Sequence, residues 1–167
     1  MKINIVLVEP EIPSNTGNIS RTCSVIGAAL HLVHPLGFDI SEKAVRRAGL
    51  DYWDELEICE YNSFKEIREK NPNGKFYFCS TKAAHVYSDI NFPLDDDSEI
   101  FLVFGKETKG LPEELLRENE DMCIRIPMRE NKRSLNLSNS VAIIAYEVLR
   151  QADFANLKRV GMLAEKI

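Results

Sequence analysis

Short apolar runs alternate with helix-like segments along almost the whole chain, and this alternation most constrains the fold. We predict strands at 3–8, 30–34, 57–60, 75–80, 99–104 and 122–126, and helices at 15–26, 42–48, 64–70, 112–118 and 139–152. Strands that alternate with helices predict an α/β fold with a mostly parallel sheet and helices on both faces. In such folds ligands bind beyond the carboxyl ends of the strands.

Length and composition are ordinary for one globular domain with a real core, since 44% of the 167 residues are hydrophobic and 28% are charged. No apolar run approaches the roughly 20 residues of a membrane span, and the N-terminus lacks a signal-peptide pattern, so we expect a cytoplasmic protein with no membrane partner. The net charge of −5 argues against nucleic-acid binding by the whole surface but allows a local basic patch.

The cysteines and histidines show no metal-binding spacing, so we predict no metal site. The four cysteines form no CxxC pair and are predicted to be reduced, buried thiols. His31 and His34 lie on one predicted strand at an odd separation, which points them to opposite faces.

The loop after the first strand leads into a helix through Asn15, Thr16 and Gly17. Asn15 or Thr16 could simply cap that helix, and Gly17 could simply permit close packing. The alternative is that Arg21, one turn further on, projects toward an anionic substrate, because a guanidinium binds phosphate through two parallel hydrogen bonds.

The loop after strand 99–104 contains two glycines, Gly105 and Gly110, at the spacing of a phosphate-binding P-loop. The Lys-Ser/Thr pair that a P-loop requires is missing, and the chain has no GxGxxG sequence, which excludes both nucleotide-binding motifs. A glycine at a strand exit still lets the backbone approach a ligand closely. Glu107 in this loop either accepts a hydrogen bond from a ligand or braces the loop.

The third loop joins strand 122–126 to the last helix and is rich in serine and asparagine. A loop between a strand end and a capped helix leaves backbone N–H and C=O groups unpaired. Such a loop can hold a small polar molecule through its main chain, although it also has the composition of an ordinary N-capped helix start.

These three loops together resemble the signature motifs of the SPOUT methyltransferases. The motifs are the segments at 15–21, 104–112, and 126–128 with 134–139. Segments 5–13 and 46–52 narrow the resemblance to bacterial ribose 2′-O-methyltransferases that modify the wobble cytidine or uridine of leucine tRNAs. The resemblance covers residues 2–154, nearly the whole chain.

The resemblance implies a single knotted domain over residues 1–155, with a C-terminal trefoil knot, followed by a tail at 156–167. It also implies a homodimer and a site for S-adenosylmethionine (SAM), the methyl donor that leaves as S-adenosylhomocysteine. Carried over by position, the SAM-binding residues are Cys79, Thr81, Gly105, Glu107, Gly110, Ile126, Met128, Ser134, Leu135 and Asn139.

The implied reaction is methyl transfer to a ribose 2′-hydroxyl, with Arg21, Tyr146 and Asn139 as the catalytic residues. A guanidinium stays protonated in proteins and is therefore a poor base, so we expect Arg21 to hold a phosphate and to stabilise the developing alkoxide. The residues expected to bind tRNA are Asn15, Arg21, Arg46, Arg129, Lys132 and Arg133.

Three alternatives remain open from the sequence. The first is a ribose methyltransferase that acts on ribosomal RNA or on another tRNA position. The second is an RNA-binding homologue without catalysis, against which the presence of Arg21, Asn139 and Tyr146 argues. The third is a flavodoxin-like or nucleotide-binding domain, which the missing glycine motifs disfavour.

Overall fold

The computed structural model describes residues 1–40 and 56–163. The predicted helix at 42–48, the segment 46–52 and Arg46 lie outside the described residues. The strands are β1 (Lys2–Val8), β2 (Ala29–Val33), β3 (Ile58–Tyr61), β4 (Lys75–Cys79), β5 (His85–Val86), β6 (Glu99–Phe104) and β7 (Cys123–Arg125). The helices are α1 (Pro13–Ile26), α2 (Phe64–Lys70), α3 (Glu113–Arg117) and α4 (Leu137–Gln151).

The seven strands form one sheet in the order β3-β2-β1-β6-β4-β7-β5. Every pair of neighbouring strands in this sheet is parallel. Strand β1 lies inside the sheet, because Ile5 pairs with Leu30 of β2 on one side and with Leu102 of β6 on the other. The predicted α/β class with a parallel sheet is confirmed.

Helices cover both faces of the sheet, as predicted. Along β1, Ile5 and Leu7 belong to an apolar cluster that includes buried side chains of α1 and α4. The alternate residues Val6 and Val8 belong to a second cluster on the opposite face, where they join Ile67 of α2. Side chains of a strand alternate between faces, so the four consecutive apolar residues at 5–8 bury β1 on both sides.

The helix ends follow from local chemistry. Helix α1 begins with Pro13, whose missing N–H costs nothing in the first turn, and ends at Gly27, whose φ of 70° is left-handed. Helix α4 begins at Leu137, two residues before the predicted start at 139, because Asn136 is the N-cap and its Oδ1 accepts a hydrogen bond from the Ser138 N–H at 2.9 Å.

The segment at 82–98, between the predicted strands at 75–80 and 99–104, is not irregular throughout. It contains β5, whose two residues pair with β7, and a short 3₁₀ turn at Tyr87–Asp89. A two-residue strand has no periodicity, so its pairing comes from the neighbouring strand and not from its own sequence. Within the described residues, no helix has the length and apolar character needed to cross a membrane.

The cysteines are all free thiols. Cys23 and Cys123 are buried as predicted, whereas Cys59 and Cys79 are partly exposed. Burial raises the pKa of Cys23 to about 12, so this thiol stays protonated at neutral pH and acts as a small apolar side chain.

One polar cluster is buried within the sheet. The Asn4 side-chain amide donates to the Ile100 carbonyl, so its Oδ1 accepts from His31 Nε2 at 3.1 Å. His31 Nδ1 then accepts from the Tyr61 hydroxyl at 3.0 Å. Burial lowers the pKa of His31 to about 4, which keeps the ring neutral. His34, in contrast, is partly exposed and contacts Glu60.

Candidate functional site

The carboxyl ends of β6, β4 and β7 are neighbours in the sheet, and the loops that follow them enclose a cavity of about 650 Å³. This volume lies within the range of small-molecule sites. The lining residues are Ile12, Asn15, Cys79, Ser80, Thr81, Lys82, Phe104, Gly105, Lys106, Glu107, Thr108, Lys109, Gly110, Leu111, Ile124, Ile126, Met128, Arg133, Ser134, Leu135, Asn136, Leu137, Ser140 and Ile144.

The cavity has an apolar floor and a polar rim. Phe104, Leu111, Ile124 and Ile144 are buried side chains that supply apolar surface. The polar part of the lining comes from the loops and includes both small side chains, such as Thr81 and Ser134, and charged ones, such as Lys82 and Arg133. Such a cavity can bury an aromatic ring against the floor and orient it by hydrogen bonds to main-chain groups at the rim.

Gly105 is required by a close backbone approach at the start of the loop after β6. A Cβ at this position would overlap the backbone of Gly110 and Leu111. The Gly110 N–H donates to the Lys106 carbonyl at 2.8 Å, which folds the loop back on itself. Only a residue without a side chain fits at this exit, so Gly105 sets the shape of the cavity wall.

The loop after β1 is fastened to the loop after β6 by reciprocal hydrogen bonds. The Glu107 carboxylate accepts from the backbone N–H of Glu11 at 2.8 Å and of Ile12 at 3.3 Å. In return, the Glu11 carboxylate accepts from the backbone N–H and from the hydroxyl of Thr108, both at 3.0 Å. These two bonds from Thr108 lower the pKa of the Glu11 carboxyl.

A third contact joins the same two loops at the strand ends. Lys106 Nζ lies 2.5 Å from Glu9 Oε2, and both side chains are about one-third exposed. The hydrogen bond to Glu9 raises the pKa of Lys106. Glu9 has a φ of 52°, a left-handed conformation that is uncommon outside glycine. Glu9 therefore has an uncommon backbone conformation, and its side chain contacts Lys106 of the cavity lining.

The loop before α4 is attached to α1 through a pair of side-chain amides. Asn136 Nδ2 donates to Asn15 Oδ1 at 2.9 Å, and Asn15 Nδ2 donates to Glu107 Oε1 at 3.0 Å. Asn15 is buried, and Asn136 is also the N-cap of α4. All three side chains line the cavity. The amides thus connect the three loops that the sequence singled out.

The structure brings most of the predicted SAM-binding residues around this cavity. Every one of them except Asn139 lines it. Of the two open interpretations of Glu107, the geometry favours bracing, because the described contacts of its carboxylate are to Glu11, Ile12 and Asn15. Desolvation raises the pKa of the Cys79 thiol well above its ordinary value, so this thiol stays protonated at neutral pH.

The predicted catalytic and tRNA-binding residues divide into two groups. Asn15 and Arg133 line the cavity. The others, Arg21, Asn139, Tyr146, Arg129 and Lys132, are exposed residues outside its lining. Arg21 lies on α1, and Asn139 and Tyr146 lie on α4. These two helices pack against each other.

The sequence interpretation missed several cavity residues. Ile12, Ser80, Lys82, Lys106 and Asn136 line the cavity but were not predicted as site residues. Ser80 and Lys82 could have been found, because they directly follow a predicted strand whose end already carried Cys79 and Thr81. Among the described residues, no group of three or more His, Cys, Asp or Glu side chains could hold a metal ion.

Comparison with known proteins identifies the class to which this fold and cavity belong. Residues 2–146 match the SpoU rRNA Methylase family. The chain belongs to this family of RNA methylases. It is also 54% identical over 157 residues to a Listeria monocytogenes protein named as a candidate tRNA (cytidine(34)-2′-O)-methyltransferase, covering 94% of this chain and 92% of that relative.

Two solved structures share the fold. One, described under 2-OH methylation of C/U34 on tRNA, superposes with a TM-score of 0.83 at 36% identity and covers 92% of this chain and 97% of its own. The other is an AdoMet-bound rRNA methyltransferase from Sinorhizobium meliloti, with a TM-score of 0.77, 26% identity, and coverage of 89% of this chain and 56% of its own.

Proposed function

We propose that the chain is a SAM-dependent enzyme that methylates the ribose 2′-hydroxyl of nucleotide 34 of tRNA. The 54% identity to a relative named for this reaction, over nearly the full length of both chains, is the observation that carries the proposal. The solved structure described for C/U34 methylation supports the same nucleotide and adds uridine as a second base. Leucine tRNAs are the proposed substrates within this class.

The cavity fits SAM. Its apolar floor suits a purine ring, its rim offers main-chain donors and acceptors, and Gly105 lets the backbone approach closely. The segments at 79–81, 105–110 and 126–135 would hold the molecule. When bound, SAM supplies a methyl group on a sulfonium, which is an excellent leaving group. The protein therefore contributes mainly proximity and orientation.

Arg21 is proposed to bind a tRNA phosphate and to stabilise the alkoxide that forms as the hydroxyl loses its proton. Its position on an exposed face of α1, beside the helix that carries Asn139 and Tyr146, supports a role toward a large substrate. Arg129, Lys132 and Arg133 lie on the exposed loop before α4 and can add phosphate contacts. Binding through phosphates falls steeply with salt.

We also propose a homodimer in which the exposed apolar residues of α1 and α4 are covered by a second copy. Val25 is 59% exposed, Tyr146 42% and Ile143 36%. The domain at 1–155, its trefoil knot and a cytoplasmic location are parts of the same proposal, and the family membership supports them.

Methyl transfer from labelled SAM to separate pools of unmodified and native tRNA, with the modified nucleotide mapped, tests the proposal. We expect a 2′-O-methyl group at nucleotide 34, above all in leucine tRNAs. Transfer to another tRNA position or to ribosomal RNA would overturn the substrate. An absence of transfer to either pool, from protein that binds SAM, would overturn the catalytic function.

A further inference from the structure

Glu107, Asn15 and Asn136 form a chain of hydrogen bonds with one fixed direction, which we call the carboxylate–amide chain. Glu107 carries no hydrogen to donate as a carboxylate, so Asn15 must turn its Nδ2 toward Glu107 and its Oδ1 toward Asn136. Asn136 must then turn its Nδ2 toward Asn15. This leaves Asn136 Oδ1 available to cap α4.

The direction of the chain is set at its charged end. Glu107 Oε1 accepts from both the Asn15 amide and the Ile12 N–H, while Oε2 accepts from the Glu11 N–H. Backbone N–H groups can only donate, so a neutral amide at 107 cannot satisfy these groups and Asn15 together. One negative charge thereby fixes the orientation of two amides on two other elements.

The carboxylate–amide chain ends at the loop before α4, which forms part of the cavity lining. Asn136 directly follows Ser134 and Leu135, which line the cavity, and it holds the N-terminus of α4. At the other end, Asn15 lies on the helix that carries Arg21. Asn15 stands 92 positions from Glu107 and 121 from Asn136, so these contacts exist only in the folded chain.

We propose that Glu107 is a positioning residue, which acts through Asn15 and Asn136 to hold the loop at 134–136 in the shape that binds SAM. Three of the roughly four acceptor positions of its carboxylate are already used by Glu11, Ile12 and Asn15, which suits this bracing role. This inference rests on the proposed function for the identity of the ligand. It separates Glu107 from the residues that contact the ligand, among which the sequence had placed it.

A swap of charge and amide between positions 107 and 15 is the decisive test. In Glu107→Gln, either the new amide nitrogen faces Asn15 Nδ2 or it faces the backbone N–H groups, and two donors meet. In Asn15→Asp, two carboxylates face each other at about the 3.0 Å of the present contact. In the double variant, the introduced amide at position 107 accepts from the Glu11 N–H through its oxygen and donates toward position 15 through its nitrogen. The introduced carboxylate at position 15 then accepts both from that nitrogen and from Asn136. The exposed Ile12 N–H, whose present contact is the longest at 3.3 Å, loses its acceptor and is hydrated instead.

The measurement is the Kd of the purified full-length protein for S-adenosylhomocysteine, determined by calorimetry, which requires no turnover. We expect each single variant to bind about tenfold or more weakly, as for loss of a charged hydrogen bond. The double variant should return to within about threefold of the parent. A double variant as weak as the singles, or singles with unchanged Kd, would overturn the proposal.

Glu11→Gln is the matched control. Glu11 joins the same two loops, but the two hydrogen bonds that its carboxylate accepts both come from Thr108 and not from Asn15. Its Kd should stay within about threefold of the parent. An equal loss in Glu11→Gln would show that loop attachment in general matters, which contradicts a specific chain.

Asn15→Ala removes the middle of the chain without adding a charge, and it serves if a single swap variant does not fold. It should also weaken binding about tenfold, and an unchanged Kd would overturn the proposal. Failure of the proposed function can be distinguished from failure of the proposed positioning role of Glu107. The first appears as absent methyl transfer by the parent protein, and the second appears in the binding series alone.

Discussion

Two polar clusters occupy the two halves of the same sheet, and they differ in what completes them. In the β3-β2-β1 half, both ring nitrogens of His31 have partners from neighbouring strands. In the β6-β4-β7 half, polar loops at the strand ends surround an open cavity of about 650 Å³. The closed cluster serves the fold, because its hydrogen bonds are satisfied internally. The open cavity can bind a ligand, because polar groups of its loops can form hydrogen bonds to that ligand.

Among the variants considered, Gly105→Ala should reduce methyl transfer most. It changes the cavity wall in the β6-β4-β7 half of the sheet and leaves the His31 cluster intact. The added Cβ would overlap the backbone of Gly110 and Leu111, so the cavity wall must move. Displacing a binding wall by an ångström costs on the order of 100-fold in activity, and we expect at least about that loss in kcat/KM for methyl transfer. Gly161→Ala, where a Cβ meets no described atom within 4 Å, is the control.

His31 tests the closed half through pH. Its pKa is lowered to about 4 in the folded protein from an ordinary 6.5, so only the unfolded chain gains a proton between these values. The free energy of unfolding should therefore fall by about 3 kcal/mol as pH drops from 6.5 to 4. Urea unfolding at several pH values measures this fall.

His31→Gln should remove most of that dependence above about pH 4.5, whereas substitution of the partly exposed His34 by Gln should preserve it. A parent protein whose stability is flat from about pH 6.5 to 4.5 would show that the His31 ring is protonated in the fold. The His31 cluster would then contain a buried charge, and the neutral hydrogen-bonding pattern described above would be wrong.

Arg21→Lys should reduce methyl transfer about tenfold, because lysine cannot bind a phosphate through two parallel hydrogen bonds. The Kd for S-adenosylhomocysteine should not change, since Arg21 lies outside the cavity lining. Full activity in Arg21→Lys would refute the two-bond role. Arg117→Lys, on the exposed surface of α3, is the matched control.

Lys82→Ala should have the smallest effect on stability. Lys82 lies 2.5 Å from Glu113, but both side chains are more than half exposed. Exposed ion pairs contribute little, so the free energy of unfolding should change by less than about 0.5 kcal/mol. If Lys82 contacts a tRNA phosphate, the same variant should reduce the slope of log Kd for tRNA against log salt concentration by about one. An unchanged salt dependence would place Lys82 outside the tRNA surface.

Patterns close together in sequence predicted much of this fold. The strand at 99–104 coincides with β6, because a run that is apolar at nearly every position can only be buried on both faces. The start of α4 was predicted two residues late, since a run of serines and asparagines offers several caps. The site loops were also predicted, because they follow strand ends.

Long-range pairing could not be predicted. The contacts of Glu107 with Glu11 and Asn15 join residues more than 90 positions apart, and sequence alone left its role open. The pairing of Lys106 with Glu9 is of the same kind. Each of these side chains has several possible partners, and only the folded geometry selects one. The trefoil knot stays a prediction from the resemblance.

The position of β1 has a consequence for how the chain folds during synthesis. This strand leaves the ribosome well before β6, yet Ile3 and Leu7 pair with Ile100 and Phe104, almost a hundred residues later. Until β6 emerges, the apolar strand β1 lacks one of the two strands with which it pairs. Unpaired strand edges invite aggregation. In the nascent chain, β1 therefore depends on early pairing with β2 and packing against α1. Slow translation before residue 104 should favour misfolding.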